Sequence, residues 1–154
     1  MILDSGERRS FDTGAVRDIQ EGKGRPCFMP LEVAAVMLGP RIGIDEILSP
    51  LASFAKNPDT RHLYAALYNF AEIAYNKQLE TMLLDVSIHY EEGAKKYGPD
   101  NWRKGIPTSC YLDSAIRHYL KYRRGDQDEP HDRAFVWNIM CCIWEVDYHE
   151  NTNH

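Results

Sequence analysis

Two adjacent acids, Glu91 and Glu92, and two adjacent lysines, Lys95 and Lys96, open the stretch EEGAKKYGPDNWRKGIP. Carboxylates of this kind hold hard cations such as Mg2+, which binds one or two carboxylates and takes further ligands from substrate phosphates. Lysines beside them would neutralise phosphate oxygens. A plainer reading is also open, because acids one turn ahead of bases give intrahelical pairs and a favourable charge at a helix C-terminus. Ten residues on, Trp102 stands among Asp100, Asn101, Arg103 and Lys104. Its indole either packs back on the core or stacks on a nucleobase, a contact worth about 1–3 kcal/mol. Arg103 and Lys104 can reach phosphates.

Two further groups carry potential chemistry. Asp85, His89, Glu92 and Lys96 fall on one line of a helix, where neighbouring turns bring side chains together. They either share a metal or form a solvated face. Arg117, His118, Lys121, Arg123 and Arg124 concentrate positive charge in one short span, the composition of an anion pocket. Asp126, Asp128, Glu129, His131 and Asp132 follow with the opposite sign, and the two groups can also pair across the turn. Asn138 lies on an otherwise apolar helix and needs partners if buried, with His131 and Glu145 within reach along the same seam.

These residues must be positioned by helices. Apolar spacing gives a helix after Pro30, a second over IDEILSPLASFAK that is interrupted or kinked at Pro50, and a third capped by Asp59 or Thr60. Leu63, Leu67, Phe70 and Ala74 line one face of that third helix. A fourth covers Gln78 to Lys96, with Met82, Leu83, Val86, Tyr90 and Ala94 as its buried side. A fifth runs from a Ser109 cap to Arg124, and a last from about Glu129 to Tyr148. That last helix is apolar nearly all round, which places it at a bundle centre or an oligomer interface. The fold class is therefore all-α, a bundle of about five to six helices with short antiparallel connections. Residues 1–30 alternate glycines and charges and read as an irregular arm, either mobile or folded over a partner subunit or ligand. Residues 31–150 read as one helical domain.

Composition bounds the function. The chain has 154 residues, 44% hydrophobic and 27% charged, enough for one real core. A net charge of −5 argues against a general nucleic-acid binder, which needs excess Lys and Arg, but leaves room for a local basic pocket. No apolar run resembles a signal peptide or approaches membrane-spanning length, so a soluble, cytoplasmic protein with no membrane partner is expected. Cys27, Cys110, Cys141 and Cys142 form no C-x-x-C pair and read as reduced, packed thiols. No phosphate-binding glycine loop is present. Nucleotide phosphates, if bound, must be held by side chains and metal.

Three stretches resemble a known family: DSGERRSFDTGAVRDIQEGKGRP, EEGAKKYGPDNWRKGIP and YLDSAIRHYLKYRRGDQDEPHDRAFVWN. They look like the phage-associated dATP/dGTP diphosphohydrolase N-terminal domain family, placed near the MazG-like all-α nucleotide pyrophosphohydrolases. The resemblance is close over about residues 4–26 and 88–144 and looser over 31–87, within a family-like core of 88–148. It implies a phage or prophage enzyme in which Mg2+ (or Mn2+) assists attack of water on a purine deoxynucleoside triphosphate, giving the monophosphate and pyrophosphate. Carried onto this chain, Glu91, Glu92 and Asp132 are the catalytic acids, and Glu91, Glu92, His131 and Asp132 hold the metal. Lys95, Lys96, Asn101, Trp102, Lys104, Arg117, His118 and Lys121 bind substrate, with Trp102 on the base.

The MazG-like pattern is E-E-x-x-E on one helix and E-x-x-D on the next. Here Lys95 stands at the third acid, and Asp132 is followed by Phe135. Asp85, His89, His118 and His131 are the other ligands at hand. The incomplete set gives a second expectation, a non-catalytic nucleotide binder such as a phage sponge that sequesters a defence-signalling nucleotide. A third is an oligomeric structural protein. The apolar last helix and the glycine-rich arm together point to a homo-oligomer with sites near subunit interfaces.

Overall fold

The computed structural model describes residues 7–40 and 43–149, so the first six residues of the arm and Glu150 lie outside the described part. Six helices follow one another: α1 (Leu31–Leu38), α2 (Leu48–Lys56), α3 (Thr60–Ala74), α4 (Leu79–Tyr97), α5 (Thr108–Arg124) and α6 (His131–Trp144). A π-helical turn, Glu145–His149, extends α6. α5 and α6 pack most extensively on each other, and α6 also packs on α3 and α4. No helix among the described residues is long and apolar enough to cross a membrane.

The apolar character of α6 is explained by its place. Phe135, Val136 and Ile139 are fully buried at the centre of the bundle, against Tyr111, Ile116 and Tyr119 of α5 and Phe70 of α3 in one cluster. Phe70 meets the Phe135, Tyr119 and Tyr122 rings at centroid distances of 4.5, 6.3 and 5.2 Å. Such ring pairs add about 0.5–1.5 kcal/mol each beyond the area they bury. The four cysteines are free thiols, with Cys110, Cys141 and Cys142 buried.

Helix ends follow local chemistry, with two shifts from expectation. Asp59 caps α3 by accepting from the Arg61 amide at 2.9 Å. Pro50 does not kink α2. The helix begins at Leu48, so Pro50 sits in the first turn, where its missing N–H has no intrahelical acceptor to lose. Asp45, buried just upstream, accepts from the Leu48 amide at 2.8 Å and from the Tyr119 hydroxyl at 2.7 Å, tying the α2 start to α5. α5 starts at Thr108 rather than after a Ser109 cap, and it ends at Gly125, whose φ of +89° suits a residue without Cβ. The Gly125 and Asp126 amides both return to the Lys121 carbonyl.

The orientation of α4 departs most from the wheel. Leu83 is 49% exposed, whereas His89 is buried with Met82 and Val86. The buried face is thus rotated toward the line Asp85–His89–Glu92–Lys96, which faces the protein and not bulk water. Arg133 of α6 draws it inward, donating to Asp85 at 2.8 Å and approaching Glu92 at 3.9 Å. Tyr75 donates to the same Asp85 carboxylate at 2.6 Å.

The arm is partly ordered as sheet. β1 (Arg8–Ser10) and β2 (Val16–Asp18) pair antiparallel, with Arg9 opposite Arg17. It lies on the chain's own helices. The Asn101 side-chain amide exchanges two bonds with the Val16 backbone, at 2.9 and 2.8 Å. Thr13 donates to the Gly105 carbonyl at 2.5 Å. A Cβ on Gly105 would meet His149 at 2.9 Å and Thr13 at 3.0 Å, so only glycine lets the arm and the C-terminal turn close there.

Candidate functional site

Asp113 is the arm's anchor. It is fully buried on α5 and accepts from Arg25 at 2.5 Å, Gln20 at 2.9 Å and the Cys27 amide at 2.8 Å. Burial alone would raise its pKa, but the Cys27 amide and the Arg25 guanidinium outweigh that and hold it below the usual carboxylate value. Three bonds from one segment of the arm to one buried acid fix residues 20–27 over α5. Arg117 adds a bond to the Gly24 carbonyl at 2.7 Å.

Under this strap lies a cavity of about 730 Å³, walled by the arm, α4, α5 and α6. The arm contributes Arg9, Arg17, Asp18 and Lys23, α4 contributes His89, Lys96 and Tyr97, and α5 contributes Arg117, His118 and Lys121. Glu129, Trp137 and Asn138 complete the wall on the α6 side. Six lysines and arginines therefore face two carboxylates, in a chain whose overall charge is −5. Burial lowers the pKa of both Arg9 and Arg117, and neighbouring guanidiniums add to the effect. Like charges crowded in a partly dry space are costly unless an anion joins them.

Arg17 is the most informative of the six. Its guanidinium lies over the Tyr111 and Trp137 rings at 5.2 and 5.7 Å, and Nη2 donates to Asn138 Oδ1 at 3.2 Å. Nη1 is buried with no hydrogen-bond partner among the described residues, as are Nε of Arg9 and Nε1 of Trp137, and the partnerless Nδ1 of His89 donates or accepts according to its tautomer. Buried donors are nearly always satisfied, and each one left open costs about 1–3 kcal/mol. The three donors, from the arm and α6, all belong to residues that line the cavity. Burial, reinforced by Arg133, pushes the His89 pKa down to about 4, so it meets a ligand as a neutral ring.

His118 and His131 form a second feature at the cavity edge. Their Nδ1 atoms are 2.9 Å apart, and His131 Nε2 lies 2.7 Å from Asp128 Oδ1. Burial and the adjacent His131 push the His118 pKa well below its ordinary value. His118, Glu129 and His131 each offer a ligand atom within 4.8 Å of the others, and so do Asp126, Asp128 and His131.

The structure separates the residues singled out from sequence. Lys96, Arg117, His118 and Lys121 line the cavity together. Lys95 and Lys104 are exposed outside it, and Asn101 is committed to Val16. Trp102 packs edge-on against Tyr90 and Trp144 at 5.6 and 5.1 Å, with Arg103 over its ring at 4.5 Å. Its indole is part of an aromatic cluster, and the rings that line the cavity are Trp137 and Tyr97. Glu91 is exposed, Glu92 sits by Arg133, and Asp132 accepts from the Arg133 amide at 2.8 Å. Glu91, Glu92 and Asp132 belong to neither group of converging ligands found among the described residues; His131 belongs to both. Asn138 finds its partners in Arg17 of the arm and the Ala134 carbonyl, not in His131 or Glu145. Arg9, Arg17, Asp18 and Lys23 are charged cavity residues that the sequence did not mark. Arg9 and Arg17 stand opposite each other on paired strands of three residues, a signal too short to read without the pairing.

The chain is an all-α bundle with a cationic cavity beneath a strapped arm. The family model for the dATP/dGTP diphosphohydrolase N-terminal domain matches residues 67–154, and the chain belongs to that family. The match takes in the α4, α5 and α6 walls of the cavity and leaves the arm outside it. No curated protein and no solved structure matches the chain.

Proposed function

We propose that the protein is a nucleotide diphosphohydrolase that takes a purine deoxynucleoside triphosphate, dATP or dGTP, into the cavity beneath the arm. The carrying observation is the charge of that cavity: six cations and three unpartnered buried donors gathered from four elements of an acidic chain. The family description supplies the substrate class and the reaction. Arg17, Arg117, Lys121 and Lys96 bind the polyphosphate, and Trp137 and Tyr97 offer the apolar faces for the base. Water attacks the α-phosphorus, the bond from that phosphorus to the bridging oxygen of the β-phosphate breaks, and pyrophosphate leaves. The nucleoside monophosphate remains and one proton is released at neutral pH.

The metal set that the resemblance implies, Glu91, Glu92, His131 and Asp132, is not one of the converging ligand groups found among the described residues, although His131 belongs to both of those groups. The protein's own contribution is to neutralise and orient the triphosphate and to exclude water beneath the arm.

The test is incubation of the full chain with each of the four deoxynucleoside triphosphates plus Mg2+ or Mn2+, with product resolved by chromatography. Monophosphate and pyrophosphate from dATP or dGTP support the proposal. Tight binding with the nucleotide recovered intact would establish the second reading, a nucleotide-sequestering protein, which the same cationic wall favours. Neither turnover nor binding would remove both.

A further inference from the structure

From the convergence of His118, His131 and Glu129, we propose a transition-metal site at the edge of the cavity, held by two imidazole nitrogens and one carboxylate. The site comes from α5, the α5–α6 turn and the first residue of α6. The two Nδ1 atoms stand 2.9 Å apart, a hydrogen-bond distance that holds one proton between the rings, and opening it to about 3.3 Å with loss of that proton would let both nitrogens bind one tetrahedral ion at about 2.05 Å. Glu129 places a carboxylate oxygen within 4.8 Å of both rings.

The surroundings suit such a site. His131 Nε2 lies 2.7 Å from Asp128, the outer carboxylate–histidine contact that fixes a ligating ring with its other nitrogen toward the metal. His131 is buried, so its orientation is not free. Arg117 and Lys121 oppose a cation beside His118, while Asp126 and Asp128 on the same turn offset them. Imidazole nitrogens select first-row transition ions over Mg2+, which prefers oxygen. Three ligands leave open positions, and since His118 and Glu129 line the cavity, those positions face the bound anion.

The proposal stands apart from the nucleotide reading, and metal uptake alone tests it. The full chain, freed of metal by chelator, is titrated with Co2+ and followed by visible absorption and calorimetry. One Co2+ per chain is expected, with the absorption bands of nitrogen and oxygen ligation. His118→Gln and Glu129→Gln should each lose at least tenfold in affinity, and Asp128→Asn should lose about 10–100-fold as an outer-shell change. Glu91→Gln should bind as well as the wild type. If His118→Gln fails to fold by circular dichroism, Glu129→Gln on the half-buried turn before α6 decides. No Co2+ uptake by the folded wild type would overturn the site, as would uptake unaffected by Glu129→Gln.

Discussion

Replacing Arg17 by Met separates ligand binding from folding, because its two terminal nitrogens have opposite roles. Nη2 serves the fold through Asn138 Oδ1, and Nη1 has no hydrogen-bond partner among the described residues. Deleting the guanidinium removes a stranded donor worth about 1–3 kcal/mol of penalty. It also strands the Asn138 oxygen, a cost of the same order, and gives up ring contacts worth roughly 0.5–2 kcal/mol. The first two terms offset, which leaves the ring contacts of roughly 0.5–2 kcal/mol as the net loss. The melting temperature should therefore fall by no more than about 8 °C, at up to about 4 °C per kcal/mol in a domain of this size. Binding has no such offset. A charge-assisted bond to a phosphate oxygen contributes about 1.5–3 kcal/mol, so affinity should fall by about ten- to a hundredfold. Calorimetry with dATP, and with inorganic triphosphate as the base-free probe, reads the loss beside a thermal melt. An affinity within twofold of wild type, from protein that melts normally, would refute the cavity as the phosphate site.

Trp102→Ala should have the opposite profile, destabilising by roughly 3 kcal/mol in urea through the lost Tyr90 and Trp144 contacts while leaving nucleotide affinity unchanged in the folded protein. Asp113→Asn should loosen the arm, so that trypsin cuts after Arg17 or Lys23 much faster than in wild type and nucleotide affinity falls with it; equal cleavage rates would show that the strap does not depend on this acid. Acid should weaken the fold through His89. Its folded pKa of about 4 lies below the unfolded value near 6.5, so the unfolded chain takes up the proton first, and stability present above pH 6.5 is lost as pH falls toward 4. The loss is up to about 3 kcal/mol, and denaturant midpoints at pH 7.5 and 4.5 should differ less in His89→Phe; an unchanged difference would exclude His89 as the cause.

The helices were legible because their packing repeats with the period of the backbone, so α3, α4 and α6 fall within a few residues of where apolar spacing puts them. The site was legible only in part, for a reason visible on α4. A polar line there reads as solvated unless something opposite answers it, and the answer, Arg133, lies on a helix more than thirty residues away. Trp102 misleads in the complementary way, since charged neighbours in sequence hide an aromatic cluster assembled from α4 and α6.

The arm makes the same point most strongly. Its glycines and charges carry no period, yet Arg9, Arg17 and Lys23 supply half the cations of the cavity. What holds them there is Asp113, an acid on the polar side of α5 by its wheel and fully buried in the fold. One buried carboxylate that collects a guanidinium, an amide side chain and a backbone N–H converts an aperiodic segment into a wall. The cations so placed outnumber the two carboxylates of the same wall, and they repel one another across the space between them. If the cavity takes a polyphosphate as proposed, its charge comes from the arm as much as from the helices, although the family match leaves the arm outside.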